Sequence, residues 1–411
     1  MNIFIGTQEV ANMIHLYAEG FKQLGHKVTT CAKPHPFYKN EYDYDLSLPR
    51  WLIFLTKFYR IKFLRNTVSK IIEKYEVHVK ENIFEKVIND IDIFIFIFDG
   101  FTPKTLFDYN DIKSKNKKIV SLFCGTEVRD WDAFSKAYKI NIETVEKNSI
   151  DCKQFNRKLF RLRKNELLSD AIYSLPDQSI LGIRPYFEIK IPFIFNKYFP
   201  VINNRTIPKI VHIPSRFPTK GTVFIEKAIQ ELHRQNIQFE FTIHKGLSNS
   251  EVIKVLQDAD ILIDEVILFG TGTLGMEAIA CGCALANNSK GINLLSEYIC
   301  NINPTNMVEM LKPFILERKT RIQNINKSIE ILKDHYNAKT VCNKILSDLE
   351  ISPLDFTKHD FIPDYYINGY VLPEGHTVNV ENKILTQKVI EKYKIPIDEN
   401  NFNRMKSASL F

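Results

Sequence analysis

The segment Pro208-Lys-Ile-Val-His-Ile-Pro-Ser-Arg216-Phe-Pro-Thr-Lys220-Gly221-Thr222, followed by Ile261-Leu-Ile-Asp-Glu265 and Phe269-Gly-Thr-Gly-Thr-Leu-Gly-Met-Glu277, decides how this chain is read. Residues 209–215 read as a strand, 216–221 as a loop carrying two cations, and 222–236 as an amphipathic helix. A second strand (239–245) and helix (248–259) follow. A third strand (260–266) runs into a glycine-rich turn (269–273), which opens a short helix carrying Glu277. The apolar stretch 283–288 closes the unit as a strand. Helices alternating with strands too apolar to show a polar face predict an α/β fold, a parallel sheet covered on both sides. Such sheets bind ligands at the carboxyl ends of their strands. The Arg216/Lys220 loop and the glycine turn both fall at that edge.

That placement predicts an anionic ligand, a diphosphate above all. Helix starts carry unpaired N–H groups and the positive end of a dipole. Gly270 and Gly272 remove the Cβ atoms that would hold a phosphate off the backbone. Arg216 can fork onto two phosphate oxygens while Lys220 adds a compact charge. Glu277 is expected in the first turn of its helix, leaning back toward the N-terminus, where its carboxylate can accept from two ribose hydroxyls. His244, Gly272, Thr273 and Leu274 share the edge and complete the expected donor-contact set. Each feature has a plainer reading: surface Arg and Lys are usually solvated, and a first-turn Glu often only complements the dipole. Their convergence on successive strand ends of one unit favours ligand binding.

The segments Ile213-Pro-Ser-Arg-Phe-Pro-Thr-Lys220-Gly-Thr222, Ile261-Leu-Ile-Asp-Glu265 and Gly272-Thr-Leu-Gly-Met-Glu277-Ala-Ile-Ala-Cys-Gly282 together resemble glycosyltransferase family 4, the large retaining group with the GT-B fold. The resemblance implies two Rossmann-like, doubly wound parallel-sheet domains facing an interdomain cleft. It also implies that the cation pair grips the donor diphosphate and that the Glu before Ala-x-Ala-x-Gly holds the nucleotide ribose. The family usually has another Glu eight positions earlier, near the donor sugar; here that position is Phe269, and Glu265 is a candidate substitute.

At 411 residues the chain suits two domains, expected at 1–200 on the acceptor side and 201–350 on the nucleotide-sugar side, with a tail at 351–411. Its 45% hydrophobic and 25% charged residues are a globular composition. No apolar run approaches the ~20 residues of a membrane span, and the N-terminus leads straight into a strand instead of a signal peptide. Seven cysteines with no C-x-x-C pair fit a reducing, cytoplasmic compartment. The net charge of +7 is compatible with nucleic acid, but no basic–aromatic reader motif accompanies it, so no nucleic-acid partner is expected.

The opening reads as another βαβ unit: strand 2–5, turn 6–8, helix 9–24, Gly25 as its left-handed cap, and strand 26–31. It too resembles the first unit of GT-B transferases, which makes Gly6 and Thr7 candidate cleft residues. The turn lacks a full G-x-G-x-x-G, so no dinucleotide fingerprint is supported. Residues 50–65 mix Trp51, Leu52, Phe54, Leu55 and Phe58 with Arg50, Lys57, Arg60, Lys62 and Arg65. Two readings stand: a helix lying at an anionic membrane surface, or one packed on the sheet with snorkelling cations. Residues 91–98 predict a central buried strand, and 118–123 the next, ending in Cys124-Gly-Thr-Glu127. The family often has His-Gly-Ser-Asp there, near the reacting sugar; Glu127 is thus a candidate catalytic residue, with helix capping as its alternative. Nothing in the sequence places a base beside Cys124, so a nucleophilic thiol is not expected. Further strands are expected at 171–175 and 189–193, a linker at 199–208, and covering helices at 306–318 and 320–349. The aromatic-rich tail is expected to pack on the domains or to mediate an oligomer contact.

Four Asp-x-Asp pairs (Asp43/Asp45, Asp90/Asp92, Asp130/Asp132, Asp258/Asp260) raise the question of a metal, but none is placed to bridge a diphosphate in the phosphate unit. The cation pair serves that neutralising role, so no metal is expected. The resemblance therefore implies a retaining glycosyltransferase moving a sugar from a nucleotide-diphosphate donor to a glycan, lipid-linked or protein acceptor, in surface polysaccharide or glycoconjugate synthesis. No cofactor beyond that donor is implied. Arg216, Lys220 and Glu127 are the expected catalytic residues, and alanine at Arg216 or Lys220 is expected to lower turnover with folding intact. Two other readings remain open: a noncatalytic nucleotide-sugar-binding subunit, motivated by Phe269 and Cys124, and a sugar-nucleotide epimerase.

Overall fold

The Ile-, Val- and Phe-rich runs form two separate parallel sheets. A computed structural model describes residues 1–34, 40–60, 62–138, 152–214, 220–289, 293–363 and 377–395. The described chain divides into two units: one drawn from Met1–Ala133, Ile150–Ile189 and Cys342–Phe411, the other from Phe134–Ser149 and Lys190–Val341.

In chain order the first unit holds β1 (Asn2–Thr7), α1 (Met13–Gln23), β2 (Lys27–Ala32), β3 (Tyr44–Asp45), α2 (Arg50–Thr56), α3 (Lys62–Val87) and β4 (Ile93–Ile97). Then come α4 (Phe107–Ser114), β5 (Lys118–Leu122), α5 (Trp131–Tyr138, whose residues from Phe134 on belong to the second unit), α6 (Cys152–Leu168), β6 (Ala171–Ser174) and β7 (Phe187–Glu188). The sheet runs β3-β2-β1-β4-β5-β6-β7, every pairing parallel. The chain fills one side of β1 and then crosses to the other, so the carboxyl end of β1, at Thr7, is a topological switch point. Every residue of β4 is buried, as a strand covered on both faces must be. Phe4, Phe94, Phe96, Phe101 and Tyr109 form its aromatic core, with Phe4 and Phe101 centroids 5.0 Å apart.

The second unit holds β8 (Lys209–His212), α7 (Thr222–Arg234), β9 (Glu240–Ile243), α8 (Asn249–Asp258), β10 (Ile261–Ile263), α9 (Thr273–Ala280), β11 (Ala284–Asn287), β12 (Cys300–Asn301), α10 (Met307–Leu316) and α11 (Arg318–His335). Its sheet order is β12-β11-β10-β8-β9, again all parallel, with the switch between β8 and β10. Two doubly wound parallel sheets are the predicted α/β class.

Some boundaries differ from expectation for local reasons. The strand expected at 189–193 lies earlier, at β7; Pro192 has no N–H for a ladder, and Phe193 makes only an isolated bridge to Asn337. The helix expected over 320–349 is two, α11 and α12 (Ala338–Asp348). Asn337 divides them, its Oδ1 accepting from the Thr340 amide at 2.9 Å, which caps the second helix.

The described part of the tail packs within the first unit. Helix α13 (Val380–Tyr393) buries Leu385, Val389 and Tyr393, and lies along α6. Arg163 donates from Nε to Thr386 Oγ1 at 2.9 Å, and Asn382 donates to the Asn156 carbonyl at 2.9 Å. Among the described residues no helix is long and apolar enough to cross a membrane, and no group of three His, Cys, Asp or Glu side chains could hold a metal ion. The Asp-x-Asp pairs have structural partners: Asp43 accepts from Thr30, Asp92 from the Asn2 amide, Asp130 from the Ala133 amide, and Asp258 from Arg205 and Lys209.

Candidate functional site

The carboxyl edge of the second sheet gathers most of the expected donor-contact residues. Gly221 takes a left-handed conformation (φ 73°) at the start of α7, and a Cβ there would lie 2.3 Å from Val266 Cγ2. Only glycine fits both the angle and the space. This turn delivers Lys220 to the end of β10, where Nζ lies 2.7 Å from Asp264 Oδ1 and 3.5 Å from Glu265 Oε2. Burial would lower the Lys220 pKa, but the two carboxylates outweigh it and hold the ammonium above its ordinary value. Burial pushes the Glu265 carboxyl up, with Lys220 opposing. Arg216 lies outside the described residues, so of the expected cation pair only Lys220 can be located. It is an ion-paired cation instead of a solvated one.

The glycine turn stands nearby in the sheet. Gly270 is left-handed (φ 92°), while Gly272 is extended, and a Cβ on Gly272 would meet nothing within 4 Å. Open space thus faces the N-terminus of α9, where the first amides have no partner in the helix. Thr271 Oγ1 and Thr273 Oγ1 at this tip, and Asp264 Oδ2 and Ser289 Oγ just past the ends of β10 and β11, are shielded from solvent and have no hydrogen-bond partner among the described residues. Buried polar atoms are nearly always satisfied, so such a concentration at a helix tip marks a candidate ligand site.

Glu277 is the fifth residue of α9, just past the first turn in which the sequence predicts it, because the helix already begins at Thr273, the last residue of the expected turn. Its carboxylate is buried and held: Tyr198 donates to Oε1 at 2.7 Å and Asn249 Nδ2 at 2.9 Å. Lys197 in turn donates to Asn249 Oδ1 at 2.6 Å. Burial raises the Glu277 pKa, while Tyr198, Asn249 and Lys197 oppose it. Tyr198 and Asn249 were missed by sequence reasoning: one lies just before the linker, the other just after the Ser248 cap of α8, and neither carries a motif. His244 follows the last residue of β9, with its Nε2 beside Thr242 Oγ1 at 3.1 Å. The neighbouring His212 is wholly buried, bridging the Ile263 carbonyl and Thr222 Oγ1, and is a structural tie between β8, β10 and α7. Leu274 follows Thr273 in the first turn of α9. Phe269 is buried edge-on against Tyr138 (4.5 Å) and near Phe134 (6.2 Å), so an aromatic contact occupies the position at which the resemblance implies a carboxylate.

In the first unit Gly6 is required by packing, since a Cβ would sit 2.7 Å from the Cys31 carbonyl oxygen. Thr7 donates its hydroxyl to the backbone carbonyls of Asp99 (3.2 Å) and Gly100 (3.3 Å). Glu127 is buried after β5, accepting from the Cys124 amide, with Oε2 unpartnered among the described residues; burial raises its pKa. The Cys124 thiol packs against Met13 Sδ at 3.6 Å, and burial pushes its pKa well up, which disfavours the thiolate. Around these residues is a charged cluster that the sequence did not flag. Asp99 accepts from Arg161 (2.8 Å) and Lys164 (2.6 Å), which outweigh its burial and hold its pKa down.

No family model matches the chain, and no curated protein matches it. Solved structures do. The chain is similar to sucrose-phosphate synthase from Thermosynechococcus elongatus, with a TM-score of 0.51 and 10% identity over 84% of this chain and 97% of that one. It is similar to the apo structure of OtsA with a TM-score of 0.50 and 11% identity over 85% of this chain and 99% of that one. Likeness at this identity shows the fold: two parallel sheets with flanking helices in a GT-B-like arrangement of the chain.

Proposed function

We propose that the protein is a glycosyltransferase that takes a sugar from a nucleotide-diphosphate donor and places it on a hydroxyl of a glycan, lipid-linked or protein acceptor. The observation that carries this reading is the tip of α9, with open space before Gly272, unpartnered Thr271 and Thr273 hydroxyls, and Lys220 close to the same strand ends. A diphosphate would satisfy the hydroxyls and helix amides together. Glu277, preset by Tyr198 and Asn249, would accept from the ribose hydroxyls. Lys220 and Arg216 would stabilise charge growing on the departing diphosphate. Glu127, on the first unit, would hold a hydroxyl of the reacting sugar through its unpartnered Oε2. Retention of anomeric configuration, and a role in surface polysaccharide or glycoconjugate synthesis, come from the family 4 resemblance.

We further place the protein in the cytoplasm, touching the inner membrane face through α2. Leu52 turns inward against Val68 and Ile72, while Trp51, Ile53 and Phe54 are exposed beside Arg50 and Lys57. An apolar, cation-flanked surface of this kind complements an anionic bilayer.

The direct experiment incubates purified protein with a panel of nucleotide sugars, following thermal shift and nucleotide release with and without glycan acceptors. Donor-specific binding with acceptor-dependent release supports transfer. Conversion of the nucleotide sugar with no acceptor present would identify an epimerase instead, and tight binding with no turnover a noncatalytic subunit.

A further inference from the structure

A cavity of about 450 Å³ opens at the carboxyl edge of the first sheet, lined from the ends of β1, β2 and β3 and by one face of α3. Its volume is within the ~300–1,000 Å³ range of small-molecule sites, and its place is the switch-point edge where such sheets bind ligands. Four charged side chains and one ring give it character: Glu9, Lys33, Glu76 and Lys80, with Tyr75 beside them. Lys33 and Lys80 make no ion pair among the described residues. Glu9 is the anchored member. Its Oε2 accepts from Tyr42 at 2.7 Å, and its Oε1 is shielded and has no hydrogen-bond partner among the described residues. Amides of Val10, Met13 and Ile14 lie close enough to favour its charged form, but burial outweighs them and raises its pKa. Leu46 and Val79 supply an apolar wall.

Two ammonium groups and two carboxylates leave the pocket with no surplus charge, so it has no electrostatic preference for an anionic ligand. What it offers is alternating donors and acceptors around an aromatic face. A polyhydroxylated ring uses both, because each hydroxyl can donate to a carboxylate and accept from an ammonium while its C–H face rests on Tyr75. We propose that this pocket is the acceptor subsite and takes an uncharged pyranose, with one ring hydroxyl donating to Glu9 Oε1. The proposal rests on the transfer reading given above and adds the acceptor's class to it.

Saturation-transfer NMR with neutral methyl glycosides, methyl glucuronosides and sugar phosphates tests it on the full chain. The expected result is saturation transfer to at least one neutral methyl glycoside, lost in Glu9→Gln and in Tyr75→Ala, each with an intact melting transition. Lys80→Met is a second polar probe should Tyr75→Ala fail to fold. Transfer only to the charged sugars, no transfer to any glycoside, or neutral-sugar signals unchanged in the variants would each overturn it. The nucleotide-induced thermal shift of the wild type is read in parallel. Its absence defeats the transfer reading itself, whereas its presence with no glycoside signal defeats only the acceptor assignment.

Discussion

Lys220 Nζ and Asp264 Oδ1 lie 2.7 Å apart at adjacent strand ends, with only 18% of the lysine side chain and 1% of the aspartate side chain exposed. Removing one member of such a pair strands the other in a poorly solvated site, at a cost of about 3–5 kcal/mol. Lys220→Ala is therefore expected to lower the melting temperature as well as turnover, contrary to the sequence-based expectation of an unperturbed fold. The paired variant Lys220→Met/Asp264→Leu is expected to recover most of the stability and none of the activity. Equal stability of wild type and Lys220→Ala in denaturant titrations would show the pair to be unimportant. Arg216→Ala is the cleaner probe of the proposed diphosphate contact, with an expected loss of roughly 10²–10³-fold in turnover.

Glu277 gives the site a pH signature. Its folded pKa is raised, chiefly by burial, from an ordinary value of 4.5. Between those two values the folded state holds the proton more tightly than the unfolded one, so this group favours folding as pH falls and disfavours it above the window. Nucleotide binding runs the other way, because the neutral acid is a weaker acceptor for ribose hydroxyls. The nucleotide-induced thermal shift is expected to shrink as pH drops through the carboxylate range, and to be small and flat in Glu277→Gln. A wild-type shift independent of pH there would remove Glu277 from the nucleotide contact.

Tyr198→Phe isolates the orientation of that carboxylate. The phenol contributes a 2.7 Å hydrogen bond to Oε1, and its loss leaves that oxygen held by Asn249 alone. Hydrogen bonds to charged groups are worth about 1.5–3 kcal/mol, so nucleotide affinity is expected to fall about tenfold or more with little change in kcal/mol-scale stability beyond that bond. Calorimetric titration with the preferred nucleotide measures it; unchanged affinity would make Tyr198 a packing residue only.

How far the sequence carried varies from residue to residue. The parallel sheets were legible because β4, β10 and β11 are apolar on both faces and turn residues stand between them. The turn that opens α9 was legible because its glycines mark a break in the chain, and Gly270 does take a left-handed φ of 92° that side chains rarely adopt. Tyr198 and Asn249 were not, since each reaches Glu277 from a segment distant in sequence, and nothing local records such a partnership. The ion pairing of Lys220 was equally hidden: Asp264 and Glu265 read as the end of a strand, and only the β8–β10 pairing brings them to the lysine. Glu277 sits just past the first turn because the helix takes in Thr273, which the sequence reading left in the turn. Leu52 shows the same limit, since helical spacing could not say which apolar residues of α2 turn inward.

Gly221 links the fold to the site. Alanine there would have to hold a φ of 73° with its Cβ 2.3 Å from Val266 Cγ2. Left-handed strain costs about 1–2 kcal/mol, and forced overpacking about 1–3 kcal/mol more. Gly221→Ala is expected to lower the melting temperature and, by moving Lys220 off Asp264, to weaken nucleotide binding further than the stability loss explains. Val266→Ala relieves the contact, so the double variant is expected to regain part of the binding. No regain in the double variant would assign the whole effect to backbone strain.

Helix α2 allows a test independent of chemistry. Trp51, Ile53 and Phe54 are each more than half exposed, and Lys57 Nζ stands 5.2 Å from the Phe54 ring centroid. Apolar burial contributes about 25 cal/mol per Å², and each basic residue near an anionic surface about 1 kcal/mol, the latter screened by salt. Cosedimentation with phosphatidylglycerol-containing vesicles is expected, with none on phosphatidylcholine alone and a marked loss as salt rises. Trp51→Ala/Phe54→Ala is expected to lower binding at all salt concentrations, and Arg50→Gln/Lys57→Gln to remove mainly the salt-dependent part. Trp51 fluorescence should shift to the blue on vesicle addition, because the ring leaves water for the interface. A Trp51 spectrum unmoved by anionic vesicles that nonetheless bind the protein would place the contact elsewhere on the molecule.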